Sequence, residues 1–185
     1  MEYLEYLQVA RRHFGPGLYL VLAMVLAELL NLVTFRKLNK LGIVPREPGS
    51  VAGIVLAHLL HSDFRHFLAN LAPLTVLAFL LGQWRPGNFW WVAGCIALAS
   101  GALVWLLARR GNHLGASGLV YGLFGYLALG GFLSGKLLYV AVSAVLLVLY
   151  SGILWGALPL QARASWESHL AGLCTGLALA WFRVF

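Results

Sequence analysis

Residues 115–133 have the sequence GASGLVYGLFGYLALGGFL, an apolar stretch with no charged side chain. Its first glycines recur at intervals of 3, 4 and 3 residues, at Gly115, Gly118, Gly122 and Gly125. This spacing places them on one side of a helix. Small residues so arranged let membrane helices approach closely, because lipid gives little hydrophobic drive for helix association. The stretch therefore predicts a membrane helix with a smooth face that packs against another helix.

The composition requires lipid as the solvent for most of the chain. Of 185 residues, 61% are hydrophobic and 10% are charged, whereas soluble domains are about half apolar and a quarter charged. A chain of this length forms one domain, too small to bury so much apolar surface. The net charge of +7 is dispersed over turns and helix ends. That distribution favours anionic lipid head groups over nucleic acid as the partner.

Hydropathy predicts an all-α membrane protein, with six transmembrane helices in a single domain over residues 1–185. A membrane helix needs about 20 mostly apolar residues. The six predicted spans are Leu18–Phe35, Phe64–Leu81, Asn88–Ala108, Ala116–Leu133, Lys136–Gly156 and Ser168–Val184. The long first loop contains a further apolar piece, Val51–Leu60, which we expect to be an interfacial or partly inserted helix.

The polar residues of these spans gather at one face of the membrane. Loops after the first, third and fifth spans lie on the same side, whichever side that is. The residues at the span ends joined to those loops are His61, His66, Ser117 and His169. Asn70 shares a helix face with His66, and Tyr121 shares one with Ser117, because each pair is four residues apart.

A second stripe of small residues matches the first. His169, Gly172, Gly176 and Ala180 follow one another at intervals of 3, 4 and 4 residues on the sixth span. The two smooth faces should pack together. We therefore expect Ser117 and His169 to come within hydrogen-bonding reach.

A serine beside a histidine is the minimum for nucleophilic catalysis. The histidine takes the serine proton, the oxygen attacks a carbonyl, and the histidine then protonates the leaving amine. No carboxylate is placed to orient His169, so the pair would be a dyad, with Tyr121 packing against the imidazole. The available donors for an oxyanion are the Asn70 amide, His66 and the Ser117 backbone N–H.

Other polar residues are expected to be less informative. Glu28 and Asn31 in the first span have no comparable partners, and His113, beside Arg109 and Arg110, is expected to be solvated. A metal bound by His58, His61 and His66 is an alternative. Their spacing differs from H-E-x-x-H, however, and no carboxylate base lies between the first two.

Three separated motifs resemble those of the rhomboid family of intramembrane serine proteases. Residues 61–70, HSDFRHFLAN, resemble its H-x4-H-x3-N pattern. Residues 115–121, GASGLVY, resemble G-x-S-G-x-x-Y. Residues 169–176, HLAGLCTG, resemble H-x-x-G-x-x-x-G.

The resemblance implies a six-helix fold around a water-filled cavity that opens to the extracytoplasmic side. It implies Ser117 as nucleophile, His169 as general base and acid, and His66, Asn70 and the Ser117 N–H as the oxyanion hole. The residues it implies in support are Tyr121, His61, Gly115, Gly118, Gly172 and Gly176. Substrates would be transmembrane proteins cut near the outer end of a span, without metal or other cofactor. Residues 157–167 would cap the site, and the fifth span would border the path of the substrate.

Two family features are missing. A Trp-Arg pair would fall near Ala52–Gly53, and a G-x-x-x-E-x-x-x-G pattern would follow the second span. These departures indicate a divergent branch of the family. We expect a bacterial member of the inner membrane, and the short chain is compatible with the rhombosortase-like group. There are two competing hypotheses: a catalytically silent rhomboid-like protein that binds membrane helices, or a small transporter.

The charges of the loops favour the orientation opposite to the one that the resemblance implies. More of the loop cations lie on the side of the candidate site, whereas positive charge usually lies on the cytoplasmic side.

Overall fold

The computed structural model describes residues 2–159 and 165–182, and the regular structure within these ranges is helical apart from one isolated bridge between Ile43 and His113. Its longer helices are α1 (Glu2–Val33), α2 (Phe64–Trp84), α3 (Phe89–Leu107), α4 (Ser117–Leu133), α5 (Leu137–Tyr150) and α6 (Trp166–Trp181). Each predicted span overlaps one of them. The predicted all-helical fold class is confirmed.

Helix lengths differ from those expected from hydropathy. Helix α1 has 32 residues and is roughly 48 Å long at 1.5 Å per residue, so it extends well outside a hydrocarbon core of about 30 Å. Hydropathy marks only its apolar part, which is why the predicted start at Leu18 is late. Helices α1, α2 and α3 are long and apolar enough to cross a membrane, while α4 and α5 are apolar but shorter. The count of six spans stays a prediction.

Helix α4 is the centre of the bundle. Every residue from Ser117 to Ala128 is buried, and α2, α3, α5 and α6 all pack on this helix. A helix that is apolar on all sides belongs inside a protein rather than at its surface. The glycine-rich stretch 115–133 is therefore the core of the fold.

Backbone meets backbone where α4 and α6 pack. A Cβ atom added to Gly172 would overlap the carbonyl oxygen of Gly118, and one added to Gly176 would overlap that of Gly122. A Cβ on Gly125 would lie 3.0 Å from the carbonyl oxygen of Leu173. The two predicted stripes of small residues thus face each other, and their missing side chains set the distance between the helices.

The first loop is tied to the end of α3. Its Arg46 donates hydrogen bonds from Nη1 to the carbonyl oxygens of Leu106 (3.0 Å) and Ala108 (2.9 Å). Trp105 Nε1 donates back to the carbonyl of Glu47 at 3.2 Å. This arginine and tryptophan, distant in sequence, join the loop to α3 in a chain that lacks the family's adjacent Trp-Arg pair.

The apolar piece Val51–Leu60 contains a one-turn helix, Gly53–Leu56, and then a 3-10 turn, Ala57–Leu59. It packs directly on α3, because a Cβ on Gly101 would overlap the carbonyl oxygen of Ile54; its insertion into the membrane stays a prediction. Val51 and Val55 remain about half exposed.

Glu28 and Asn31 have partners, so the prediction that they lack comparable ones is wrong. Both are buried, at 2% and 0% exposure. Arg36 Nη2 lies 2.8 Å from Glu28 Oε1, and Asn31 Nδ2 donates to Asn39 Oδ1 at 2.8 Å. The partners follow the helix in a turn with positive φ at Phe35 and Arg36, a conformation that helical periodicity does not predict.

Replacing Gly172 by alanine should push α4 and α6 apart, because the new methyl collides with backbone that cannot rotate away. We expect a loss of about 1–3 kcal/mol, the usual range for overpacking, measured as a lower thermal midpoint in detergent. Gly130→Ala is the matched control in the same helix pair, since the nearest atom to its Cβ, on Ala180, is 3.9 Å away. Equal midpoints for the two variants would contradict the close-packing account.

Candidate active site

Ser117 is the first residue of α4, directly after a tight turn. Gly115 has φ +119°, and a Cβ there would lie 2.8 Å from Cε1 and Nε2 of His66, so both conformation and space require glycine. The Gly115 N–H donates to the carbonyl of Ala57 at 2.9 Å, and the Ala116 N–H donates to His61 Nε2 at 3.4 Å. The N–H of Ser117 comes next, and at the first helical position it has no partner inside the helix.

His169, on the first turns of α6, is held by two contacts. Its Nδ1 donates to the carbonyl of Gly156 at 2.7 Å, which fixes the proton on Nδ1 and leaves a lone pair on Nε2. Its ring stacks on Tyr121, with centroids 4.2 Å apart and planes 10° apart. The Tyr121 hydroxyl donates to the carbonyl of Ile153 at 2.7 Å.

Gly156 is a site residue that sequence reasoning missed. A Cβ at this position would collide with the Tyr121 hydroxyl and lie 3.2 Å from His169 Nδ1. Only the missing side chain lets its carbonyl reach the imidazole. Its place in a short helix, Ile153–Gly156, after the fifth predicted span gave no periodic signal that would single it out.

His66 and Asn70 lie on the first turns of α2. Asp63 caps this helix by accepting the His66 N–H at 2.8 Å, and that bond, with one from Ser62, lowers the pKa of the Asp63 carboxyl. Ser62 donates to Asp63 at 2.8 Å, and its oxygen lies 3.2 Å from His66 Nδ1. Asn70 Nδ2 donates to the carbonyl of His66 at 2.9 Å, which leaves the second amide hydrogen available.

One cavity of about 730 Å³ brings the predicted residues together. Those of the predicted site that line it are Ser117, His169, His66, Asn70 and Tyr121. Its other walls include small and apolar residues of α2, namely Ala69, Ala72, Pro73 and Val76, and Tyr150 at the end of α5. His61 does not line the cavity; it is fully buried behind the turn before Ser117.

The expected hydrogen bond between Ser117 and His169 is not formed: the described residues contain no hydrogen bond from the Ser117 hydroxyl. The two side chains instead share the wall of the cavity. A long or unmade catalytic hydrogen bond is common before substrate binds, since such bonds tighten only in the complex.

The three neighbouring histidines do not converge on a metal. His58 Nε2 contacts the carbonyl of Ala97 at 3.0 Å, whereas His61 Nε2 accepts from Ala116. Within the described ranges, no group of three His, Cys, Asp or Glu side chains could hold a metal ion. Burial lowers the pKa of His58, and it lowers that of His61 to about 4, with smaller contributions from the charges of His66 and Arg36.

His113 is buried, so the prediction of a solvated loop residue is wrong. It is 6% exposed, and its Nδ1 contacts the hydroxyl of Ser165 at the end of the predicted cap. Arg109 pairs with Glu167 nearby, Nε to Oε1, at 2.9 Å. The loop before α4 is thus joined to the start of α6. The middle of the cap, residues 160–164, lies outside the described residues.

Known proteins are similar in sequence to this chain over most of its length. A family model described as the Rhomboid domain matches residues 48–184. An uncharacterized protein of Mycobacterium tuberculosis is 32% identical over 170 residues, which cover 87% of this chain and 71% of the relative. One from Mycobacterium leprae is 31% identical over 165 residues, 84% of this chain and 65% of the relative. The chain belongs to the rhomboid family.

Proposed function

We propose that this protein is an intramembrane serine endopeptidase that hydrolyses peptide bonds in or near transmembrane segments. The observation that carries the proposal is the tautomer of His169. Its Nδ1–H is committed to the carbonyl of Gly156, so Nε2 is the nitrogen available as a base in the cavity that Ser117 also lines. This is the protonation state that a serine nucleophile requires of its histidine.

The reaction follows from these two groups. Nε2 of His169 removes the proton of Ser117 as Oγ bonds to the carbonyl carbon, giving a tetrahedral oxyanion. The C–N bond then breaks, and the same nitrogen protonates the leaving amine. Water, deprotonated by His169, attacks the resulting ester and releases the carboxylate and the free serine. The stacked Tyr121 ring holds the imidazole in place through both transfers.

Three donors would stabilise the oxyanion. The Ser117 N–H is the first of the helix and is free of intrahelical partners. Asn70 has one amide hydrogen beyond its bond to the His66 carbonyl. His66 is the third, through Nε2, which lies against Gly115 and donates in the tautomer that carries the proton on that nitrogen. Preorganised donors aimed at the charge that develops in the transition state are usually the largest electrostatic contribution to catalysis.

The substrate would be an extended peptide segment released from a membrane helix. The α2 wall of the cavity is lined by small and apolar side chains, which fit the apolar residues of such a segment. The polar groups gather at one end of α2, α4 and α6 rather than at the membrane midplane, where transporters bind their substrates. The proposed partners are therefore transmembrane proteins and the surrounding lipid.

Substitution of the dyad should abolish cleavage. With a single-span substrate reconstituted in liposomes, Ser117→Ala and His169→Gln should each lower kcat by about 10⁴-fold or more, because neither partner activates water alone. Ser134→Ala, at the far end of the same helix, is the matched control and should cleave at the wild-type rate. Cleavage that survives Ser117→Ala would remove the serine mechanism. An inert wild type that still binds the substrate would favour the silent binding protein.

Loss of the Asn70 amide should slow the chemical step selectively. We expect Asn70→Ala to lower kcat by about 10²–10³-fold, the usual effect of removing one oxyanion donor, with little change in KM. Thr75→Ala on the same helix is the control, since its hydroxyl bonds only its own helix, at the Leu71 carbonyl. A rise in KM at unchanged kcat would assign Asn70 to substrate binding instead.

We infer that the site faces the extracytoplasmic side of a bacterial inner membrane. Three of the cations that argue for the opposite orientation are engaged in structural contacts: Arg36 with Glu28, Arg46 with backbone carbonyls and Arg109 with Glu167. In a protein without its native cysteines, a membrane-impermeant maleimide added to intact cells should label Arg110→Cys and not Lys136→Cys. The reverse pattern would place the site in the cytoplasm.

A further inference from the structure

An ion pair with a buried carboxylate lies beside the candidate site and joins two residues that precede the matched family domain in the sequence. Glu28 of α1 is 2% exposed and Arg36 is 23% exposed. Two guanidinium nitrogens meet the two carboxylate oxygens, Nη2 to Oε1 at 2.8 Å and Nη1 to Oε2 at 3.4 Å. This forked geometry is specific to arginine, since a lysine ammonium is a point charge.

The same arginine holds the backbone of His61. Arg36 Nη1 donates to the His61 carbonyl at 2.7 Å, and Asn31 Nδ2 donates to the same oxygen at 3.3 Å. Phe35 and Arg36 have φ values of 51° and 58°, a backbone conformation that residues other than glycine rarely adopt. Such a turn persists only where its surroundings hold it, and the buried pair with Glu28 does so.

The ring of His61 connects the Arg36 contact to the turn before Ser117. Its Nε2 accepts from the Ala116 N–H at 3.4 Å, so its proton is on Nδ1, 4.0 Å from Glu28 Oε2. The ring also meets His66 edge to face, with centroids 5.2 Å apart. Because burial keeps the pKa of His61 at about 4, the ring stays a neutral acceptor over the physiological range.

We propose that Glu28 and Arg36 are positioning residues, which act through His61 to hold the turn at Ala116 and so place the hydroxyl and the N–H of Ser117. The proposal rests on the proposed function for its kinetic consequences. Both residues precede the range 48–184 that the family model matches. Neither they nor His61 line the cavity, so they touch no substrate.

The geometry determines which kinetic constant should change. A shift of Ala116 displaces the nucleophile and one oxyanion donor together, whereas the apolar side chains of the cavity wall at Ala72, Pro73 and Val76 lie farther along α2. A loosened turn should therefore lower kcat and leave KM nearly unchanged. A residue that matters only for folding would instead lower the amount of active protein without changing the rate per active site.

The test compares Arg36→Lys, which keeps the positive charge beside Glu28 but loses the fork, with Lys37→Gln, which alters an exposed neighbouring cation. Three quantities are measured on purified protein: kcat and KM for a single-span substrate, the rate of Ser117 labelling by a fluorophosphonate, and the exchange rate of the Ala116 amide by ¹⁵N NMR. We expect Arg36→Lys to lower kcat and the labelling rate at least tenfold and to speed Ala116 exchange at least tenfold. Lys37→Gln should match the wild type in all three.

Unchanged labelling and unchanged Ala116 exchange in Arg36→Lys would overturn the proposal. If that variant does not fold, the double variant Glu28→Gln with Arg36→Gln, which removes both charges together, takes its place with the same expectation. A wild type that neither cleaves nor is labelled would refute the proposed function alone. The Ala116 exchange comparison would then still decide whether the ion pair holds the turn.

Discussion

The contact between the glycine backbones of α4 and α6 is the constraint on which the candidate site depends. Gly172 and Gly176 lie directly against the carbonyl oxygens of Gly118 and Gly122, so the helices are as close as backbones allow. Lipid supplies little hydrophobic drive for this association, and dense packing must replace it. Ser117 is the first residue of α4 and His169 lies in the first turn of α6, and the close approach puts both on the wall of one cavity.

The second constraint is that polar groups at membrane depth need partners. At the site end of the bundle these bonds determine which groups remain available. The Gly156 carbonyl takes Nδ1 of His169 and leaves Nε2. In the turn before α4, the N–H groups of Gly115 and Ala116 donate hydrogen bonds. The N–H of Ser117, the next residue, has no partner inside the helix. Hydrogen bonds that satisfy the backbone therefore also select the atoms that would carry out catalysis.

Periodicity predicted the helices and the convergence of Ser117 and His169, because glycine spacing along one helix encodes a local surface. It did not predict what depends on irregular backbone. Arg36 reaches Glu28 only through a turn with positive φ, and Gly156 reaches His169 from a one-turn helix. His113 is buried because a bridge to Ile43 draws the loop inward. These contacts join residues whose spacing has no regular period.

A crystal structure of the protein after reaction with a peptidyl phosphonate tests the central claim most directly. The account predicts a covalent bond from Ser117 Oγ to phosphorus, with His169 Nε2 within hydrogen-bonding distance of that Oγ. The phosphonyl oxygen should accept from the Ser117 N–H and the Asn70 amide, at about 2.7–3.1 Å. Attachment to another residue, or a phosphonyl oxygen directed away from Asn70 and the turn, would contradict the account.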